Sequence, residues 1–257
     1  MSYLYTNFIF NPLYNALIYL LDLFPFLDIG IAVIVFTCLV KFVLYPLSKK
    51  ALVTQVRMKE IEPKMKEIRI KYANDQKKQA EETFALYRNA KVNPFSSIIV
   101  LVIQLPIIFA LYAVFARSGL PVINEAILYS FIQPPVIDMN FLGLFDVGSK
   151  SIVLALIAGA TQYFQLKYSL SNVGTPVSST QENKSSNQGK PDFQEEFAKS
   201  MSLSMKYVFP VLMVGISYSV SAAIALYFIT SSIFTLVQEI VIRRHIKALQ
   251  QEAATIS

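Results

Sequence analysis

Apolar residues fall in blocks along this chain, and the blocks differ in length and in the polar residues that interrupt them. Residues 29–47 are broken by one charge, Lys41, residues 95–116 carry none, residues 151–166 form a shorter run, and residues 207–238 extend for 32 residues without a charge. About 20 apolar residues in a helix cross a hydrocarbon layer roughly 30 Å thick. At a rise of about 1.5 Å per residue the last block would make a rod of about 48 Å. That is too long for one upright crossing. Two short crossings that turn near residues 215–221 keep Arg243, Arg244 and Lys247 on the inner side with the other basic segments, which decides for five crossings in all.

Between residues 48 and 93 the pattern becomes amphipathic: Leu52, Val56, Ile61, Met65, Ile68 and Tyr72 recur at steps of three to five, and Ala80, Phe84 and Tyr87 resume the spacing after an Ala-Asn-Asp interruption. This predicts an antiparallel helical hairpin turning near Asn74. Pro63 lies in its first arm, where a missing backbone donor predicts a kink or break. Ahead of the first crossing, Leu13, Leu17, Leu20 and Leu21 share a helical face while Tyr14, Asn15 and Asp22 lie toward another. That predicts an interfacial helix capped by Asn11, with Pro12 at its first position. Residues 117–149, with Pro134, Pro135 and apolar neighbours, read as a compact cap, and the Ser/Asn/Gln/Gly-rich stretch after Leu170 reads as a linker.

Composition agrees with the pattern: 54% hydrophobic against 16% charged is too apolar for a chain wetted on all sides. The distribution of charge then orients the segments. No Lys or Arg precedes the first block, residues 48–93 hold twelve basic against six acidic residues, residues 117–149 hold one against three, and residues 167–206 hold five basic residues. Basic loops stay on the cytoplasmic side, so the N-terminus lies outside and the C-terminus inside. The resulting plan is an outer interfacial helix in 1–27, a first span in 28–47, the cytoplasmic hairpin in 48–93 and a second span in 94–116. An outer loop in 117–149, a third span in 150–167, an inner loop in 168–206, the fourth and fifth spans in 207–242 and a cytoplasmic tail in 243–257 complete it. The start shows neither a basic leader region nor a small-residue cleavage pattern, so it reads as mature sequence. The net charge of +6 belongs mostly to the inner segments, where it meets anionic headgroups or ribosomal RNA or simply sets topology. A single cysteine, Cys38, predicts neither disulfides nor a metal cluster, and no cofactor is expected.

Lys41 is the residue that most needs explaining. One account is snorkelling, because its backbone lies roughly 9 Å inside the inner end of the span and a lysine stem recovers much of that distance. The other is that it faces water inside the membrane, since no acidic residue sits deep in any span to pair with it. Thr37, Lys41, Tyr45 and Ser48 fall in one line down the first span, and Tyr227, Ser231, Thr235 and Gln238 repeat that spacing in the last. Gln104 in the second span, and Thr161, Gln162 and Gln165 in the third, add polar positions. Together these stripes predict polar faces converging on one hydrated groove.

The stretches "VNPFSSIIVLVIQLPIIFALY" (92–112), "TCLVKFVLYPLSKKA" (37–51) ahead of the "IEPKMKEIRIKY" hairpin, and "ALYFITSSIFTLVQ" (225–238) resemble the YidC/Oxa/Alb family of membrane-protein insertases. The resemblance spans about residues 11–244 in the same order of segments. It implies an all-α membrane protein of the bacterial cell membrane whose five spans enclose a hydrophilic groove open to cytoplasm and lipid. It also implies that the chain is not an enzyme, that its substrates are nascent membrane proteins, and that the ribosome, the Sec translocon and membrane lipids are further candidate partners, with no DNA. The family's groove bears a basic residue, usually arginine, where this chain has Lys41. Val100 stands where the family often has proline, and Ser221-Ala222-Ala223 replaces a Pro-Ala/Ser-Gly turn. The substrate-binding groove expected from all this is Lys41, Thr37, Tyr45, Gln104, Gln165, Tyr227, Ser231, Thr235 and Gln238.

The rival reading is a secondary transporter that binds a small anion at Lys41. Against it stand the absence of a two-fold sequence repeat and of a Gly/Pro-broken helix pair. An intramembrane hydrolase has less support still: the sole histidine, His245, is in the tail, and no carboxylate pair lies at depth. No glycine-rich phosphate loop is present either.

Overall fold

The computed structural model describes residues 3–93, 96–117, 120–172 and 204–256. The loop expected in 168–206 lies outside the described residues from position 173 to 203. The described chain is mainly helical. A helical turn at Tyr3–Tyr5 and a π-helical turn at Thr6–Phe10 run straight into α1 (Asn11–Leu23). Helices α2 (Ile29–Val43), α3 (Tyr45–Lys71), α4 (Gln76–Asn89) and α5 (Ser96–Arg117) follow. A two-stranded antiparallel ribbon, β1 (Asn140–Phe141) and β2 (Phe145–Asp146), precedes α6 (Ile152–Asn172), and after a π-helical turn come α7 (Phe209–Val220) and α8 (Ala222–Ile256). Within α8, Ala222–Ile246 is long and apolar enough to cross a membrane alone, with mean hydropathy 1.7, while Gln104–Phe115 and Lys206–Val220 are shorter apolar helices. The predicted division of the last apolar block falls at Ser221, between α7 and α8.

Two units divide the chain: the first runs to Tyr45 and includes Leu101–Gln165 and Phe209–Thr235, and the second includes Pro46–Val100 and the chain from Leu236 onward. In the first unit, Leu17, Ile18 and Leu21 of α1, Ile29, Val33 and Phe36 of α2, Leu111 and Val114 of α5, and Ile224 of α8 form one buried apolar cluster. Gly30 lets the ribbon approach α2, since a Cβ there would collide with the Phe141 ring, and Gly159 on α6 likewise makes room for Val214 of α7.

The outer face of this cluster is stitched by polar groups, and here the structure corrects the reading of α1. Asn11 has helical backbone angles (φ −59°, ψ −47°) and sits within a continuing helix, so it is not a cap. Tyr14 and Asn15, expected on a different face from the leucines, are like Leu17 and Leu21 completely or almost completely buried. The Asn15 side chain donates to the carbonyls of Asn11 and Ile127, both at 2.8 Å, and accepts from the Tyr129 amide at 2.7 Å. The Tyr14 hydroxyl accepts from the Asn124 amide at 2.9 Å. Asp28 caps α2 by accepting from the Ile31 amide at 2.8 Å, and its other oxygen accepts from the amide of Leu142 at 3.1 Å. That second bond steadies Leu142 in the left-handed region (φ 52°), next to Gly143 (φ 69°) in the ribbon's turn. The first two amides of α8, Ala222 and Ala223, have no partners within their own helix. They donate instead to the carbonyls of Ser149 (2.8 Å) and Val147 (3.1 Å).

In the second unit α3 runs through Pro63 as one helix, so of the kink or break predicted there the break does not occur. The turn after Lys71 is closed by Asp75, whose carboxylate accepts from the Lys78 amide at 3.0 Å as the cap of α4. At the other end of α4, Lys91 takes a positive φ of 51° and the Val92 amide reaches back to the Tyr87 carbonyl at 3.0 Å, a Schellman-type finish. Residues of both helices, including Met65, Arg69, Thr83, Phe84 and Tyr87, line a cavity of about 340 Å³. Burial pushes the Tyr87 phenol above its usual range, and the nearby Arg69 guanidinium draws it partly back.

Candidate functional site

Three apolar helices of the first unit place polar side chains together. Lys41 lies in the last turn of α2, two residues before its end, Gln104 lies in the apolar α5, and Tyr227, Ser231 and Thr235 recur every fourth residue of α8, so these three share one face. The Lys41 ammonium donates to Thr235 Oγ1 at 3.2 Å and to Gln104 Oε1 at 3.4 Å. The amide nitrogen of Gln104 donates to the Tyr227 hydroxyl, and Tyr227 also bonds with Ser231. Phe42 and Phe234, one residue before Thr235, meet edge to face with centroids 5.1 Å apart and fix α2 against α8 beside the cluster.

Among the described residues, no carboxylate lies within ion-pairing distance of Lys41: the two salt bridges join Lys66 to Glu62 and Arg243 to Glu239. Lys41 is half-buried rather than sealed. An ammonium has three N–H donors and no acceptor. Two are engaged by neutral groups, so among the described residues the charge is uncompensated and the third donor has no partner.

The remaining predicted residues divide. Gln165 belongs to a second cluster, accepting from the Gln162 amide at 3.0 Å, while Gln162 accepts from the Ser232 hydroxyl at 2.8 Å. Ser232 escaped the sequence reading because it lies one position off the Tyr227–Ser231–Thr235 line. One step turns about 100° around a helix, so it faces α6 instead. Thr37 is buried and gives its hydroxyl to the Val33 carbonyl at 2.6 Å, which closes its hydrogen bonding within α2. The line through Thr37, Lys41, Tyr45 and Ser48 is not continuous, because α2 ends at Val43 and Tyr45 opens the next helix. Leu44 interrupts the register on which that line depends.

Gln238 is in the second unit, buried, with its Nε2 lacking a hydrogen-bond partner among the described residues. About one turn further on stands Arg243, the first residue of the tail expected in 243–257. It is 7% exposed and donates Nε–H to Oε1 of the fully buried Glu239 carboxylate (2.8 Å), with Nη2 2.7 Å from the same oxygen as an ion pair, and α8 continues unbroken to Ile256. Arg244 and His245, by contrast, are exposed.

Apolar helices joined around an uncompensated cation define a helical membrane protein with a polar site. The chain belongs to the 60Kd inner membrane protein family, whose pattern it matches over residues 19–251. It is 32% identical over 220 residues to the Membrane protein insertase YidC of Clostridium tetani, covering 86% of this chain and 84% of the relative. With the protein of the same name from Fusobacterium nucleatum it shares 30% over 235 residues, 91% of this chain and 96% of the relative. A longer protein of that name from Actinobacillus pleuropneumoniae is 27% identical over 249 residues, which cover 96% of this chain but 39% of the relative.

Proposed function

We propose that this chain is a membrane-protein insertase in which Lys41 receives polar, preferentially acidic, segments of nascent membrane proteins. The observation that carries this reading is the Lys41 ammonium, held among apolar helices by Gln104 and Thr235 with no carboxylate in ion-pairing distance among the described residues. Moving an unsatisfied polar group across hydrocarbon costs several kcal/mol. A cationic, hydrated position partway through the bilayer lowers that cost by meeting the segment before it must leave water entirely. The client's apolar helix then moves sideways into lipid, and its own burial drives the step. No bond is made or broken, so the process is transfer rather than catalysis.

In this reading the chain is a multi-pass protein of the bacterial inner membrane with five spans, its N-terminus outside and its C-terminus in the cytoplasm. The spans enclose a groove lined by Lys41, Gln104, Tyr227, Ser231 and Thr235, with Gln162, Gln165 and Ser232 extending its polar wall. Helices α3 and α4 form an antiparallel cytoplasmic hairpin that guides clients to the groove. The ribosome and the Sec translocon deliver them. The transporter alternative finds no support in the three relatives named above, each of which is named an insertase.

In cells depleted of their own insertase, replacing Lys41 with Ala should impair insertion of a single-span client with an acidic translocated tail, and Lys41→Arg should preserve it. Equal insertion by the native protein and both variants removes the role assigned to the charge.

A further inference from the structure

We propose that Gln104 is a specificity-determining residue: it anchors the Lys41 ammonium through a neutral oxygen and thereby leaves the positive charge for an acidic client segment. The inference rests on the reading of Lys41 as the client-binding cation and deepens it. Chemistry dictates which way round the Gln104 amide sits. Lys41 can only donate, so it must meet the amide oxygen, and the amide nitrogen is then turned to the Tyr227 hydroxyl, which accepts. Tyr227 therefore acts as the post that holds Gln104 in this orientation. Thr235 completes the grip on the ammonium with a hydroxyl oxygen.

Every partner in this relay is uncharged, so the cluster carries a net +1. A glutamate at 104 has the same size and reach, and would satisfy Lys41 equally well in geometry. It would also cancel the charge internally, because a carboxylate at 3 to 4 Å forms an ion pair whose attraction is strengthened where water is scarce. The native amide thus separates two tasks that a carboxylate would merge: holding the lysine in place and balancing its charge. With no carboxylate in reach among the described residues, the third ammonium N–H and the charge are left for a carboxylate or a run of carbonyls on the client.

The test compares two single-span clients that differ only in their translocated tails, one acidic and one with Ser and Asn in place of the acids. Insertion is scored by protease accessibility in cells depleted of their own insertase and supplied with full-length variants at matched membrane abundance. The readout is the acidic-to-neutral insertion ratio, not the total. Gln104→Glu is expected to lower that ratio about tenfold, to the level given by Lys41→Met, and Gln104→Leu, which removes the anchoring oxygen without adding a charge, is expected to lower it by a smaller step of about threefold. Should Gln104→Glu keep the native ratio while Lys41→Met loses it, Gln104 has no part in specificity although Lys41 does. Should Gln104→Leu keep the native ratio, the anchor has no part in specificity; should it fall as far as Gln104→Glu, placement alone explains the loss and the charge argument is wrong. If Lys41→Met itself leaves the ratio unchanged, the client-binding role of the cation fails and this inference fails with it.

Discussion

The first unit contains two polar constellations of opposite kind. Around α1, the buried Asn15 side chain has partners for both its nitrogen and its oxygen, Asp28 caps one backbone amide and fastens another, and the first amides of α8 end on loop carbonyls. Around Lys41 the hydrogen bonds are equally real but the charge is left over. A polar group buried with all its partners raises the cost of disruption. A charge buried without its counterion keeps a demand that something else must meet. The first arrangement builds an outer fastening, and the second builds a site.

Breaking the fastening should have the larger effect on stability. Asn15→Leu strands the Ile127 carbonyl and the Tyr129 amide, and is expected to lower unfolding stability in detergent by about 2 to 4 kcal/mol, read from the thermal midpoint. Asp28→Ala removes a helix cap and the bond to the Leu142 amide together, with an expected loss of about 2 kcal/mol by the same measurement. Gly30→Ala tests the close approach behind them: the new methyl meets the Phe141 ring, and a loss of about 1 to 3 kcal/mol is expected unless the ribbon shifts.

Tyr14 gives the fastening a pH dependence. Burial raises its phenol above the ordinary value of 10.0, only partly opposed by the Asn124 amide. The folded state therefore holds this proton more tightly than the unfolded chain does. Its stabilisation is complete below the ordinary value and fades as pH climbs from there toward the raised one. Tyr14→Phe should cost about 1 kcal/mol at neutral pH and flatten that alkaline decline relative to the native protein. The smallest shift is expected at the site: Lys41→Met should move the detergent midpoint by less than about 1 kcal/mol in either direction, because no ion pair is lost. A large destabilisation there would erase the contrast drawn between the two regions.

What could be read from the sequence follows the same division. Charge depletion alone located the apolar helices and isolated Lys41, because a lysine in an apolar run is conspicuous without any knowledge of its neighbours. The four-residue spacing of Tyr227, Ser231 and Thr235 put them on one face, and Gln104 came with them. The outer fastening was not legible. Tyr14 and Asn15 look like solvent-facing residues until Asn124, Ile127 and Tyr129 are known to fold over them, and those partners lie 110 to 114 positions away. Periodicity reports which residues share a face, not what covers that face. It also assumes an unbroken helix, which is why Leu44 separates Tyr45 from Lys41 and why Ser232 went unnoticed beside Ser231. At Pro63 propensity offered a kink or a break, and α3 continues without the break despite the missing donor.

The junction at Ser221 has a last implication. The bonds from Ala222 and Ala223 to Ser149 and Val147 are made by main-chain atoms alone, so no particular side chain encodes them. Substitutions at these four positions can accumulate freely as far as those bonds are concerned, provided that neither alanine becomes a proline. Diverging descendants could therefore retain this joint while losing every letter that now spells it.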